Sequence, residues 1–176
     1  MHEPPRLYIF SGLPGSGKST LAQFLARELH CVYLRIDTIE QGLRDLCDFK
    51  VQGEGYRLAY RMAADNLRQG LSVVADSCNP IALTRCEWEG VAHGAQASHV
   101  NIEVICSNPA EHRRRVETRE NSVVPGFHLP DWQAVAQRHY EPWNAERIVI
   151  DTAHPLPECQ RALLAELWEM EEVGAG

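Results

Sequence analysis

No stretch of the 176-residue sequence approaches the ~20 consecutive apolar residues that a membrane-spanning helix needs. The opening Met1-His2-Glu3-Pro4-Pro5 also lacks the charged and apolar regions of a signal peptide. The expectation is a soluble, cytoplasmic chain with no membrane partner. Metal-site spacing is missing as well. The cysteines at 31, 47, 78, 86, 106 and 159 form no C-x-x-C pair, and the histidines form no H-x-x-x-H. Several of these cysteines fall in apolar runs, so they read as free, mostly buried thiols. Lysine is scarce, with Lys18 and Lys50 the only two among 17 basic residues. Arginine carries the rest of the positive charge and suits planar, two-point contacts with phosphate and carboxylate. Positive charge is not in excess: the formal net charge is −7. Nucleic acid therefore meets no globally basic surface, and only a local basic channel would serve it. With 44% apolar residues and a length suited to one core, a single domain over 1–176 is expected.

Glycine is not scarce where it counts. Gly12-Leu13-Pro14-Gly15-Ser16-Gly17-Lys18-Ser19-Thr20 matches G-x-x-x-x-G-K-[ST], a loop that cradles nucleotide phosphates. Gly12, Gly15 and Gly17 let the backbone curl so that successive N–H groups face one phosphate. The helix that follows adds its own unpaired N–H groups and the positive end of its dipole. Lys18 is placed to bridge the β- and γ-phosphates, and Ser19 is the expected Mg²⁺ ligand. The apolar run Leu7-Tyr8-Ile9-Phe10 reads as a strand leading in. Leu21, Phe24, Leu25 and Leu29 recur at helical spacing leading out.

The remaining chain alternates in the same way. Strands are expected at 31–36, 71–75, 100–106 and 147–150. Each runs into a polar residue: Asp37, Asp76, Ser107 after Cys106, and Asp151. Between them lie helices at 38–46, at about 55–67 (Tyr56, Ala59, Tyr60, Ala63 and Leu67 inward), from Ile81 to before Gly94, and at 109–119. A loop around Pro125-Gly126, a helix capped by Asp131, and a last helix from Pro157 complete the order. That last helix is expected to bury Leu163, Leu164, Leu167 and Trp168. Five strands alternating with helices argue for one α/β domain, a parallel sheet covered on both faces. Right-handed crossovers then bring every strand's C-terminal end to one edge, where ligands bind in open α/β sheets.

That edge carries the candidate chemistry. Asp37 follows the strand after the phosphate loop and is placed to take the proton of an attacking hydroxyl, or to cap a helix. Asp76 closes an apolar strand in the Walker-B manner, either beside a Mg²⁺ shell or as a turn cap. Ser77 and Asn79 stand ready to orient a water or the substrate. The segment 111–119 holds Arg113, Arg114, Arg115 and Arg119. Arg115 and Arg119 share a helix face, as a lid clamping developing charge requires; the alternative is a solvated helix paired with its own glutamates. Arg44 and Arg85 lie one turn beyond Asp37 and Asp76, either gripping an anionic acceptor or at the surface. Trp132, Tyr140 and Trp143 either stack on a base or pack.

With these residues in place, the chain resembles P-loop kinases of the nucleoside-monophosphate-kinase type. It is most similar to the "predicted kinase" group of the AAA-33 class. That group neighbours polynucleotide 5′-kinases, gluconate kinases, chloramphenicol phosphotransferases and zeta toxins. The residues that carry the likeness are 12–20, Arg35-Ile36-Asp37, Ala75-Asp76-Ser77-Cys78-Asn79, 111–119, Tyr140-Glu141-Pro142-Trp143 and Ile150-Asp151-Thr152. The resemblance implies sheet order 2-3-1-4-5 and an Arg-rich lid at about 112–130. It places Asp37 as acceptor-side base and lets 151–155 border the adenine. The segment from Arg35 to Arg44 also resembles adenylylsulfate kinases, without their full Gly-Asp motif. The expected activity is ATP- and Mg²⁺-dependent transfer of a phosphoryl group to the hydroxyl of a small molecule. A polynucleotide 5′-hydroxyl is the second choice, and a nucleotide-driven switch the third. A GTPase switch is disfavoured because the sequence has no N-K-x-D motif, and Asp76-Ser77-Cys78-Asn79 lacks the glycine of D-x-x-G.

Overall fold

In the computed structural model, which describes residues 4–118 and 129–174, five strands form one sheet in the order β2-β3-β1-β4-β5. The strands are β1 (Arg6–Ser11), β2 (Val32–Arg35), β3 (Val73–Asp76), β4 (Ser98–Ile105) and β5 (Ile148–Asp151). Every neighbouring pair is parallel, with Tyr8 opposite Val74 on one side of β1 and Val100 on the other. The helices are α1 (Lys18–Glu28), α2 (Ile36–Cys47), α3 (Glu54–Arg68), α4 (Ala82–Gly94), α5 (Pro109–Thr118), α6 (Trp132–Ala136) and α7 (Leu156–Gly174). This is the P-loop NTPase arrangement that the resemblance implied.

The two-residue period of β1 explains why the sheet is covered on both faces. Tyr8 and Phe10 point to one side, where Leu21 and Leu25 of α1 and Leu163 and Leu167 of α7 bury them. Leu7 and Ile9 point to the other, against Ala59, Ala63 and Leu67 of α3 and Trp88 of α4. Each such side chain removed from water contributes roughly 1.5–3 kcal/mol before conformational entropy is charged against it. Among the described residues, no helix is long and apolar enough to cross a membrane.

Three expectations are corrected. Trp168 is 60% exposed, because α7 turns it away from the face that carries Leu163 and Leu167. The six thiols are free, yet only Cys159 is buried; Cys47 and Cys86 are exposed. Strand β2 ends at Arg35, and α2 begins at Ile36, earlier than the apolar pattern indicated. Asp37 therefore lies inside the first turn of α2, and the helix has no side-chain cap. Its carboxylate is not engaged in capping.

Candidate functional site

The loop between β1 and α1 is built around backbone that only glycine tolerates easily. Gly15 has φ +80°, and a Cβ there would stand 2.6 Å from Val116 Cγ2 on α5. The close approach is held by His112, also on α5, whose buried ring donates through Nε2 to the Pro14 carbonyl at 2.9 Å. Trp132 packs its ring edge-on against that imidazole, 5.3 Å between centroids. The structure thus gives Trp132 a packing contact. Replacing Gly15 by Ala is expected to destabilise the fold by about 2 kcal/mol through backbone strain and the clash with Val116. Urea denaturation of both proteins measures it; an unchanged midpoint would show that the loop has another accessible shape.

Within the loop, the Gly12 amide donates to the Cys78 carbonyl and the Ser16 amide to that of Leu13, both at 3.1 Å. The amides of Gly15 and Gly17 make no hydrogen bond among the described residues. Ser16 Oγ is buried without a partner. Buried polar groups are normally satisfied, so these orphans fit a phosphate cradle. Lys18, the first residue of α1, is 8% exposed. Burial pulls its amine down, but the Cys78, Asp76 and Asp37 side chains outweigh that and hold its pKa above the usual value. The ammonium stays charged where phosphate would sit. Ser19 follows on α1, half-buried, and Leu13 and Thr20 flank the loop.

Asp76, at the end of β3, is 2% exposed. Tyr33 donates its hydroxyl to Asp76 Oδ2 at 2.6 Å, and burial together with this carboxylate raises the phenol's pKa. Ser77 Oγ beside it is buried and unpartnered. Asp37 faces Arg35, 3.6 Å from Nη2 to Oδ2. Asn79, expected near a water or substrate, is instead wholly buried. Its Nδ2 donates to Phe10 O at 3.1 Å and Ser11 Oγ at 3.0 Å, stapling the β3–α4 loop to the end of β1.

The arginines separate into distinct roles. Arg113 pairs with Glu117 and Arg114 with Glu111, each at 2.8 Å on the exposed side of α5. Arg115 bonds Glu111 and reaches across to Thr152, donating from Nη1 to Oγ1 at 2.8 Å and from Nη2 to the carbonyl at 2.7 Å. It thereby lines a cavity of about 210 Å³ with Gly17, Thr20, Thr152, Leu156 and Cys159, beside the loop. Arg119 and most of the expected 112–130 lid lie outside the described residues. Arg44 contacts Glu40 and Gln41 on its own helix. Neither expectation for Arg85 holds. It is 3% exposed and touches no open site: it donates to the carbonyls of Asn79, Glu141 and Pro142 and lies over the Tyr140 and Trp143 rings.

A family model for AAA domains, AAA_33, matches residues 7–142. The chain belongs to the AAA_33 family. No curated protein matches its sequence. Solved structures share its fold. A gluconokinase from Sinorhizobium meliloti superposes with TM-score 0.68 at 19% identity, covering 97% of this chain and 95% of that one. The Mycobacterium tuberculosis APS kinase in complex with AMPPNP and APS gives 0.67 at 19% identity, over 93% and 98%. Chaetomium thermophilum Kti12 in complex with ADP-AlF3 gives 0.68 at 21%, over 93% and 97%. In this AAA_33 chain His112 and Thr152 grip the phosphate loop from outside, a contact its sequence pattern does not indicate. Thr152 donates its hydroxyl to the Ser16 carbonyl at 2.6 Å. The sequence traces of this are a helical histidine spaced to face inward and Thr152 of Ile150-Asp151-Thr152, and neither by itself signals a contact with the loop.

Proposed function

We propose that this protein is an ATP-dependent phosphotransferase that moves the γ-phosphate to the hydroxyl of a small-molecule acceptor. The observation that carries this is Asp37: a carboxylate that caps no helix, at the sheet edge that carries the phosphate loop and near enough to Lys18 to favour its charged form. The fold neighbours in complex with AMPPNP and APS, and with ADP-AlF3, support a nucleotide in that loop. The amides of Gly15 and Gly17 with Lys18 would hold the phosphates. Gly12 and Ser16 would shape the turn, and Arg115 and Leu156 would flank the base in the adjoining cavity. Asp37 would accept the hydroxyl proton as the acceptor oxygen bonds to phosphorus and the bridging bond to ADP breaks, its electron pair leaving with ADP. Ser19 and Asp76, with the orphaned Ser77 hydroxyl near, suit a Mg²⁺ ion and its waters, which would offset phosphate charge. Arg119 belongs to the proposed lid, closing over the transferred group and excluding water.

Polynucleotide as acceptor is the weaker reading. Of the two arginines that the sequence offered for an anionic acceptor, Arg85 is buried in backbone contacts and Arg44 is paired on α2. The deciding experiment follows labelled γ-phosphate from ATP into a panel of sugars, sugar acids, nucleosides, chloramphenicol-like alcohols and 5′-hydroxyl oligonucleotides, with Lys18→Ala as blank. Lys18-dependent label on a small alcohol is the expected result. Label on the oligonucleotides alone would replace the acceptor class. Phosphate release with every acceptor unlabelled would favour a nucleotide-driven switch.

A further inference from the structure

In the sequence Arg35 is marked only by its neighbour Asp37, yet its surroundings in the fold single it out. It is the last residue of β2, at the sheet edge that carries the phosphate loop, and its side chain is 15% exposed. Its contacts are two long ones, to the carboxylates of Asp37 and Asp76. Nη2 stands 3.6 Å from Asp37 and Nε 3.9 Å from Asp76. Both exceed hydrogen-bonding distance, and Nε is buried without a partner. A guanidinium offers five N–H donors in a fixed fork, and in a buried setting these are normally engaged. Arg35 has none engaged among the described residues. Its charge is also felt by Lys18, and the carboxylates of Asp37 and Asp76 that stand beside Arg35 act on Lys18 as well.

Three other described arginines near the loop are committed. Arg113 and Arg114 are bonded to glutamates on α5, and Arg115 is tied to Glu111 and Thr152 on the cavity side. An oxyanion bound at this sheet edge would supply the partner that the Arg35 donors lack. We infer that Arg35 is a further catalytic residue. It contacts the γ-phosphoryl oxygens from the acceptor side and stabilises their charge during transfer, a role the sequence pattern assigned to α5. This rests on the nucleotide reading above.

The chemistry is consistent with the position. As the phosphoryl group passes from ADP to the acceptor, negative charge spreads over its three equatorial oxygens. A planar fork that meets two of them is worth more than a point charge, and it breaks no short bond to do so. Asp37 and Asp76 stand 3.6 and 3.9 Å from the Nε–Nη2 edge of the guanidinium, beyond hydrogen-bonding distance, which leaves its donors available.

The test compares AMPPNP with ADP, two ligands that differ at the γ-phosphate. Their affinities are measured by displacement of a fluorescent ADP analogue, for wild type, Arg35→Gln and Arg35→Lys, with a melting curve for each. Wild type is expected to bind AMPPNP the more tightly. Arg35→Gln should lower AMPPNP affinity about tenfold, the scale of one charge-assisted contact, with ADP affinity close to wild type. Arg35→Lys should recover part of the loss. An unchanged AMPPNP-to-ADP ratio in Arg35→Gln overturns the assignment and leaves the nucleotide site standing. Equal losses for both ligands, with a lowered melting temperature, also overturn it, since Arg35 would then be holding the fold. Failure of wild type to bind ADP at all overturns this inference and the proposed function together.

Discussion

Asp37→Asn is expected to slow phosphoryl transfer by roughly two to four powers of ten, the range over which a positioned general base acts. The substitution keeps the side chain's volume and one acceptor oxygen but removes the ability to take a proton. α2 has no side-chain cap among the described residues, so Asp37 supports the helix only as an acidic residue in its first turn, worth about 0.3–1 kcal/mol. The melting temperature should therefore move little. Lys18 remains buried beside Asp76 and Cys78, so its charge survives the loss of one neighbour. Nucleotide affinity should stay near wild type for the same reason. The measurement is single-turnover transfer of labelled γ-phosphate to whichever acceptor the panel identifies, beside a calorimetric ADP titration. Equal transfer rates would remove Asp37 from the mechanism. Loss of ADP binding would show instead that the carboxylate organises the loop.

The parts of this molecule that were legible in its sequence are those governed by local rules. Glycine spacing gave the phosphate loop, and apolar runs ending in aspartate gave the strands and the edge at which they gather. The order 2-3-1-4-5 came from the resemblance and is the order observed. What the pattern missed depends on pairs far apart in the chain. His112 and Pro14 are 98 residues apart, and Thr152 and Ser16 are 136 apart. Periodicity along one helix cannot reveal either contact. The arginines illustrate the same limit. Residue type and spacing made Arg44 and Arg85 equivalent, one turn beyond an edge aspartate each. Tertiary packing left the first on a helix surface and drove the second into the interior. The β2–α2 boundary was misplaced for a local reason. Ile36 extends the apolar run, and nothing in that run signals that the backbone has already turned helical.

Arg85 carries the second large effect, on stability. Its guanidinium is buried with no carboxylate salt bridge among the described residues, an arrangement that is costly unless every donor finds a partner. Here Nε donates to Asn79 O at 2.9 Å, Nη2 to Glu141 O at 2.9 Å and Nη1 to Pro142 O at 3.2 Å. The Trp143 ring lies 4.1 Å and the Tyr140 ring 4.9 Å from Cζ, so π faces complete the charge's surroundings. Glu141 closes the same joint from the other side. Its amide donates to Pro80 O at 2.8 Å, and its carboxylate accepts from Ala82 N at 2.6 Å, capping α4. Arg85→Met keeps most of the apolar bulk but strips donors from three carbonyls. The expected loss is roughly 3–5 kcal/mol, as when one partner is removed from a buried charged network. Arg85→Lys should recover little, because one ammonium cannot reproduce a fork aimed at three acceptors. Leu83→Ala, on the same helix but 63% exposed, should change stability by less than about 0.5 kcal/mol and serves as control. Urea unfolding of the three variants measures the difference, and a loss below about 1 kcal/mol in Arg85→Met would refute the account. The effect should also reach the nucleotide. Asn79 is bonded to β1 through Nδ2, and the neighbouring Cys78 carbonyl holds the Gly12 amide. Freeing the Asn79 carbonyl loosens the entry to the phosphate loop, so ADP affinity should fall in Arg85→Met while remaining close to wild type in Leu83→Ala.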